Sequence, residues 1–418
     1  MKKQFMYAAL LGLVVSGSWG SIPRLASAEG GFTDSLPIWA KSDIAYVASK
    51  GYMKGDQQGK FNPNATISRA EFAAILARAS DNTPDAARQG FEHLSGWSKE
   101  EVNAAVSKGF ISVSDYKGGF HPDAPLTRRE LAKWVASGLA AKDADFKAAL
   151  SDTADTLVPV AEYYKGGLEK EDYPYVSVAM GTGLMTGYPD GSFGPGQTTS
   201  RAEAAVILRR FEAIQDKKAN SFQDLKEFRE VGLTGTNAIS MGYKYGLDEQ
   251  GNESSFKSIR NKPEILYNNI ATAKINRFIV AMSTNPKKIV NLYGKFFIDK
   301  DYSFGRQMGS EHFEVFEEIS YTSHIVNMDS SKYLNASTQW MFVLPGFQSG
   351  AVIKNGIRVL PRFKDISGAF LEKDKETTFW TVGSINNNYI NSITSNGATA
   401  TVQNKSFYMY VPEKGLGN

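Results

Sequence analysis

In the first half of the chain, apolar residues recur at helical spacing, in pairs of short segments separated by loops rich in Gly and Pro. The segment WAKSDIAYVASKGYMKG (39–55) puts Trp39, Ile44 and Val47 on one side and Gly51 near its end. WSKEEVNAAVSKGFISV (97–113) repeats the register with Trp97, Val102, Val106 and Gly109, and YPYVSVAMGTGLMTG (173–187) does so with Val176, Met180 and Gly183. Each is followed by a loop and a second helical pattern: Phe72, Ile75 and Leu76; Leu131, Trp134 and Val135; Ala204, Ile207 and Leu208. Spacings of three and four mark one face of a helix, and the Gly and Pro positions mark the loop before it. The pattern predicts three helix–loop–helix units. None is long enough to bury its own face, so the three must pack together.

After Ile214 the pattern changes. Residues 215–221 read as a polar linker, and helical patterns follow at about 222–231 and 262–274. Strand-like runs come next: 275–283, 288–298, 312–326, 337–344, 356–360, 376–384 and 405–411. They are rich in Ile, Val, Phe, Tyr and Trp, with turn residues between them. Residues 222–418 are expected to form one α+β domain with a mostly antiparallel sheet.

A chain of 418 residues exceeds one small core and suggests two or three domains. Residues 1–28 read as a secretory signal peptide: Lys2 and Lys3, an apolar stretch from about Phe5 to Val15, then Ala26-Ser27-Ala28. The formal net charge of +3 is carried by Lys2, Lys3 and Arg24, so the mature chain is near neutral. That argues against nucleic acid as a partner and against a polybasic membrane patch. There is no cysteine, which excludes disulfides, thiol catalysis and thiolate metal sites.

One motif occurs three times: GKFNPNATISRAE (59–71), GGFHPDAPLTRRE (118–130) and GSFGPGQTTSRAE (191–203). Six residues after the proline stands an arginine: Arg69, Arg128 and Arg201. The pairs Ser68 and Glu71, Thr127 and Glu130, and Ser200 and Glu203 have the spacing of a capping box at a helix start. A cation in the first turn is mildly unfavourable beside the positive end of the helix dipole. Two readings explain it. Each arginine could pair with an acid of a neighbouring unit, or it could meet an anionic ligand with a planar fork of donors beside free helix-start amides.

These residues resemble the S-layer homology module, over about residues 32–214. The aromatic-Asp start of that module is visible as Phe32-Thr33-Asp34 and, less well, as Leu150-Ser151-Asp152. The resemblance implies modules at 29–82, 90–143 and 150–214, packed as an all-α pseudo-threefold bundle with grooves between neighbours. It implies non-covalent anchoring to a peptidoglycan-linked secondary cell-wall polysaccharide, at the cell surface or S-layer of a Gram-positive bacterium. It also implies recognition of a pyruvate-ketal sugar, whose carboxylate Arg69, Arg128 and Arg201 would meet. Trp39 and Trp97 are candidates for the groove walls, with a place in the core as the alternative. Contacts with other surface proteins are a further implied partner; no cofactor, metal or membrane contact is expected of the mature chain.

The copies differ. Copy two offers Arg129 beside Arg128, and Phe91-Glu92-His93 where the aromatic-Asp start belongs. Copy three has Glu171 at the tryptophan position, with Tyr173 and Tyr175 nearby. The Arg69–Arg128 spacing is 59 residues but Arg128–Arg201 is 73, which locates extra residues around 156–170. The C-terminal half lacks a nucleophile elbow, a zinc-protease helix motif and a phosphate loop. Its best cluster is 309–324, where alternation would put His312, Glu314, Glu318 and His324 on one face. That face could hold a metal or carboxylates for glycoside chemistry, or be the solvent side of a strand with Phe313, Val315 and Ile319 inward. The leading expectation is a non-enzymatic, wall-anchored surface protein. The alternatives are an anchored polysaccharide hydrolase and a chaperone or assembly factor for surface proteins.

Overall fold

Ser68, Thr127 and Ser200 each start a helix, and each makes a complete capping box with Glu71, Glu130 and Glu203. The computed structural model describes residues 31–281, 283–285, 288–289, 291–298, 312–337, 350–360, 368–386 and 398–412; the expected signal peptide at 1–28 lies outside them. The first half is helical: α1 (Lys41–Ser49), α2 (Arg69–Ala79), α3 (Trp97–Ser107), α4 (Arg128–Lys142), α5 (Ala144–Asp152), α6 (Ala161–Lys165), α7 (Tyr173–Gly181) and α8 (Arg201–Ile214).

The three units form a ring. The first helix of each packs on the second helix of the unit before it: α3 on α2, α7 on α4, and α1 on α8, which closes the circle. Asp43 pairs with Arg209 at 2.6 Å, and Tyr46 donates to Glu212 at 2.9 Å, across that last seam. At the centre three backbone bonds make a triangle: Ile67 N–H to Thr199 O (3.0 Å), Thr199 N–H to Leu126 O (2.8 Å) and Leu126 N–H to Ile67 O (2.9 Å). Phe61, Phe120 and Phe193 of the three Gly-x-Phe-x-Pro loops are fully buried around it. This is the expected pseudo-threefold bundle.

The third unit begins later than the sequence suggests. In the first, Thr33 N–H donates to Gly59 O, and the Asp34 carboxylate accepts from Phe61 and Asn62 N–H, both at 2.8 Å. In the third, Ala161 N–H donates to Gly191 O, and Glu162 accepts from Phe193 (2.9 Å) and Gly194 (2.8 Å). Glu162 therefore does the work of Asp34. Leu150-Ser151-Asp152 ends α5 instead, and Asp152 accepts from Arg229 at 2.8 Å.

The second half starts with α9 (Gln223–Thr234), which packs on α5 and α7. The approach is close: a Cβ on Gly232 would lie 2.0 Å from Asp152 O, and one on Gly181 would lie 2.8 Å from Leu225 Cα. The polar stretch before α9 is held too, with Ala219 buried and Asn220 N–H on Asp145 at 3.0 Å. Then come β1 (Lys244–Tyr245), β2 (Glu264–Ile265), β3 (Ala271–Ala281), β4 (Ser283–Asn285), β5 (Lys288–Ile289), α10 (Gly294–Phe297), β6 (His312–Ser323), α11 (Ser330–Ser337), α12 (Gly350–Asn355), β7 (Glu376–Asn386), β8 (Ala398–Val402) and β9 (Lys405–Tyr410). The ladders are antiparallel: a four-stranded sheet ordered β2-β3-β6-β7, a three-stranded one ordered β1-β9-β8, and a β4-β5 ribbon. The chain is multidomain, with an α+β second half, as expected.

Three element expectations are corrected. The helix at 262–274 is a hairpin: Asn268 and Asn269 turn it with φ of +57° and +54°, and β3 begins at Ala271. The strand at 288–298 is two residues of β5 and then α10, because the Asn291 side chain accepts from Gly294 N–H at 3.0 Å and turns the chain into a helix there. At 356–360 only Val359 bridges, to Trp380. The strand expected over 337–344 meets the end of α11 at Ser337, and 338–344 lie outside the described residues.

Both faces of the four-stranded sheet are buried. Ile279, Ala281, Phe316, Trp380 and Val382, with Tyr293, Phe296 and Phe297, join the core of the helical ring. Val280, Val315, Ile319, Tyr321 and Phe379 form a second core with Phe256, Phe407 and Met409. A bulge between Ile275 and Arg277 sets which β3 side chains face each side.

Candidate functional site

The three arginines occupy equivalent places and join each unit to the next. Arg69 Nε donates to Glu130 and Nη1 to Phe120 O, both at 2.8 Å, over the Tyr116 ring. Arg128 Nε donates to Phe193 O and Nη2 to Thr186 O, both at 2.8 Å, between the Tyr188 and Phe193 rings. Arg201 Nε donates to Phe61 O (2.9 Å) and Nη2 to Lys54 O (2.8 Å), over Phe61. Each guanidinium thus satisfies the carbonyl of the neighbour's loop phenylalanine. The pairing reading has its geometry here, and the partners are mainly carbonyls rather than acids.

The helix-start amides are also engaged. Arg69, Arg128 and Arg201 N–H donate to Ala124, Gln197 and Ala65 O, and the next residues donate to Pro122, Pro195 and Pro63 O. Glu71, Glu130 and Glu203 N–H go to the capping hydroxyls. The free amides that the sequence suggested for an anion are therefore spent on the ring. Arg129 lies apart from Arg128, reaching Gly167 O at 2.6 Å and Asp172 at 3.1 Å.

What faces solvent lies beside the arginines. Trp39 and Trp97 are each 60% exposed, so neither is a core residue. A cleft of about 260 Å³ brings together Trp39, Arg128, Met185, Tyr188, Glu203 and Arg210. Three units meet there: Trp39 from the first, Arg128 from the second and the rest from the third. Arg128 Nη1 stands 3.7 Å from Glu203, and Arg210 reaches Leu184 O at 3.3 Å. Two cations against one carboxylate, with an open indole face, suit an anionic ring with one apolar side.

A second cavity of about 750 Å³ is lined by Arg201, Lys54, Asp34, Asp56, Asn64 and Glu71. Burial holds the Arg201 pKa below its usual value, against the pull of Glu71, Asp34 and Asp56. Those acids are occupied by main-chain N–H groups of Phe61, Lys60 and Ser68. Trp97 is not among the residues lining this cavity. Around Arg69 the cation is met directly by Glu130, to which Tyr116 also donates at 3.2 Å.

Sequence reasoning missed Arg210, Tyr188 and Glu162. Arg210 sits outside the repeated motif on an exposed helix face. Tyr188 stands five residues before the motif phenylalanine, where copy one has Asp56. The insertion shifted Glu162 out of alignment.

The acidic run on β6 does not form an open site. Glu314, Glu317 and Glu318 are buried. Glu318 pairs with Arg277, whereas Glu317 faces the opposite core and meets Thr381 at 3.4 Å. His324 bonds Thr272 and Asn269 O, and the His312 side chain lies outside the described residues. Among the described residues, no group of three or more His, Asp or Glu side chains could hold a metal ion, and no helix is long and apolar enough to cross a membrane.

The S-layer homology domain family matches residues 31–73, 91–132 and 169–205. The S-layer protein EA1 of Bacillus anthracis is 29% identical over 226 residues, covering 52% of this chain and 25% of that protein. An S-layer protein of Bacillus licheniformis is 29% identical over 205 residues, 48% of this chain and 21% of its own length. An amylopullulanase of Thermoanaerobacterium thermosulfurigenes is 25% identical over 190 residues, 42% of this chain and 9% of its own. The chain thus spans a quarter or less of the length of these relatives. The matched segments fall one in each unit of the ring, so the first half of this chain is a triplet of S-layer homology domains.

Proposed function

We propose that this is a cell-surface, wall-associated protein that holds a secondary cell-wall polymer in the cleft of Trp39, Arg128, Tyr188 and Arg210. The family of the triplet and the surface-layer relatives support the cell-surface and cell-wall part of the reading. The observation that carries the finer part is the cleft itself: an indole 60% exposed beside two arginines and one glutamate. A sugar stacks its apolar face on the indole, and a carboxylate such as a pyruvate ketal meets the unpaired edge of Arg210. The cavity of Arg201 and Lys54 is a second, more polar subsite, and two weak sites on one polymer gain by linkage.

The C-terminal half is read as displayed and non-enzymatic. Its densest acid run is buried in a sheet rather than set in a cleft, which disfavours the hydrolase alternative. A chaperone would need an exposed apolar groove, and the sheet face carrying Phe316, Trp380 and Val382 is covered by the triplet, which disfavours that alternative.

The test uses the full chain and cell-wall sacculi with and without their secondary polymer. Trp39→Ala and Arg210→Ala leave the ring's interlocking bonds untouched. Each is expected to weaken sedimentation with polymer by about tenfold, the weight of one stacking or charge-assisted contact. If both variants pellet like the parent, the cleft is not the binding site.

A further inference from the structure

The turn that supplies Tyr188 to the cleft is gripped from behind by the C-terminal half. α6 sits between them and touches both. On one side, Glu162 holds Phe193 and Gly194 N–H, and Ala161 N–H bonds Gly191 O. Phe193 is the residue whose carbonyl receives Arg128 Nε. On the other side, Tyr164 stacks on Phe296 at 6.0 Å and 15° and meets Trp380 edge-on at 6.5 Å, inside the core shared with the sheet.

α12 makes a second grip. Lys354 Nζ donates to Pro189 O at 3.2 Å. Asn355 donates to Phe296 O at 3.3 Å, and its Oδ1 would lie 2.6 Å from any Cβ on Gly191, whose φ is +88°. α12 also packs on α6, where a Cβ on Gly356 would meet Lys165 Cγ at 2.8 Å. The equivalent turn of the first module has no such brace among the described residues: it closes on itself, with Asp56 accepting from Gln58 and Lys60 N–H and Asn62 Nδ2.

We propose that Glu162 and Tyr164 are positioning residues that couple the packing of the C-terminal half to the shape of the Arg128 cleft. The insertion in the third module supplies this link. A change at the sheet–α6 contact shifts the turn 188–194, hence Tyr188 and the carbonyl that orients Arg128. By linkage, a ligand that fixes the turn also tightens the C-terminal half.

The test is amide hydrogen exchange on the full chain, with Phe61 and Asn62 of the first module as internal reference. Tyr164→Leu is expected to speed exchange at Phe193 and Gly194 by about tenfold, in the usual range for coupled sites, and to leave Phe61 and Asn62 unchanged. Tyr164→Phe keeps the ring stack and should match the parent. Lys354→Ala, at an exposed position, guards against a general loss of fold and should speed the same two amides to a smaller extent. The proposal is overturned if neither Tyr164→Leu nor Lys354→Ala alters Phe193 and Gly194 relative to Phe61 and Asn62.

Sedimentation of the same variants with polymer-bearing sacculi is the second arm, and it rests on the function proposed above. Tyr164→Leu is expected to bind more weakly than Tyr164→Phe. A parent that ignores the polymer would sink the binding function, while the exchange result would still decide the coupling.

Discussion

Arg128 is 4% exposed, with two main-chain carbonyls as its closest partners and an aromatic ring on either side. The sequence made this residue conspicuous by its place at a helix start. It could not say whether the arginine looks outward or inward, because the deciding atoms are carbonyls that carry no sequence signature. The ligand-facing candidates sit beside it, on Trp39 and Arg210, where exposure rather than motif is the signal. Burial also matters at Glu227 of α9, which is 1% exposed, with Asn291 Nδ2 at 3.4 Å from Oε2. Desolvation first, then the nearby Asp224, pushes its carboxyl up to about 8. From the ordinary carboxyl value up to that pH, the unfolded chain has lost this proton and the folded chain has kept it. Stability should therefore fall as pH rises through the window and level off above it. Glu227→Gln is expected to flatten that slope and to raise the urea midpoint at about pH 9 more than at about pH 5. An unchanged slope would mean that Glu227 is not the group responsible.

At the scale of elements, the paired helices of each module were legible because capping boxes and three-four spacing are local. The C-terminal strands were legible where alternation ran long, as in β6 and β7. Failures came where neighbours decide. Residues 262–274 carry enough apolar positions for a helix, yet two asparagines in left-handed conformation fold them into a hairpin. β8 is Ala-Thr-Ala-Thr-Val, too bland to stand out before β9 pairs with it. The face of β6 read as solvent is covered by the triplet, which no strand pattern announces. Helix α9 gives a direct check on that packing. Alanine is a better helix former than glycine by about 1 kcal/mol. At Gly232, however, a Cβ would fall 2.0 Å from Asp152 O. Gly232→Ala should therefore destabilise by about 1–3 kcal/mol, measured by urea unfolding. A gain in stability would mean that α9 is not seated on α5.

At the scale of the molecule, the two halves share a core. Tyr164 and Leu157 of the triplet meet Phe296, Tyr293 and Trp380 of the second half, and Tyr293 donates to Leu157 O at 3.0 Å. Arg260 adds an ion pair to Asp155 at 3.0 Å. Composition and repeat counting separate the halves easily, but they do not report the seam, which depends on side chains far apart in sequence. Calorimetry of the full chain should accordingly give one cooperative transition, with calorimetric and van't Hoff enthalpies in agreement. Two resolved transitions, one of them abolished by removing residues 217–418, would mean that the seam contributes little.

The closing of α1 onto α8 has a consequence for the order in which the fold can form. A chain that emerges amino end first, from a ribosome or through a pore, presents α1 (Lys41–Ser49) long before α8 (Arg201–Ile214). Until α8 is out, α1 lacks the helix it packs on, and the central triangle lacks Thr199. The ring cannot be completed piecemeal. Closure of the ring is therefore expected to wait for the third module, and a chain cut before α8 should leave the amides of α1 open to hydrogen exchange.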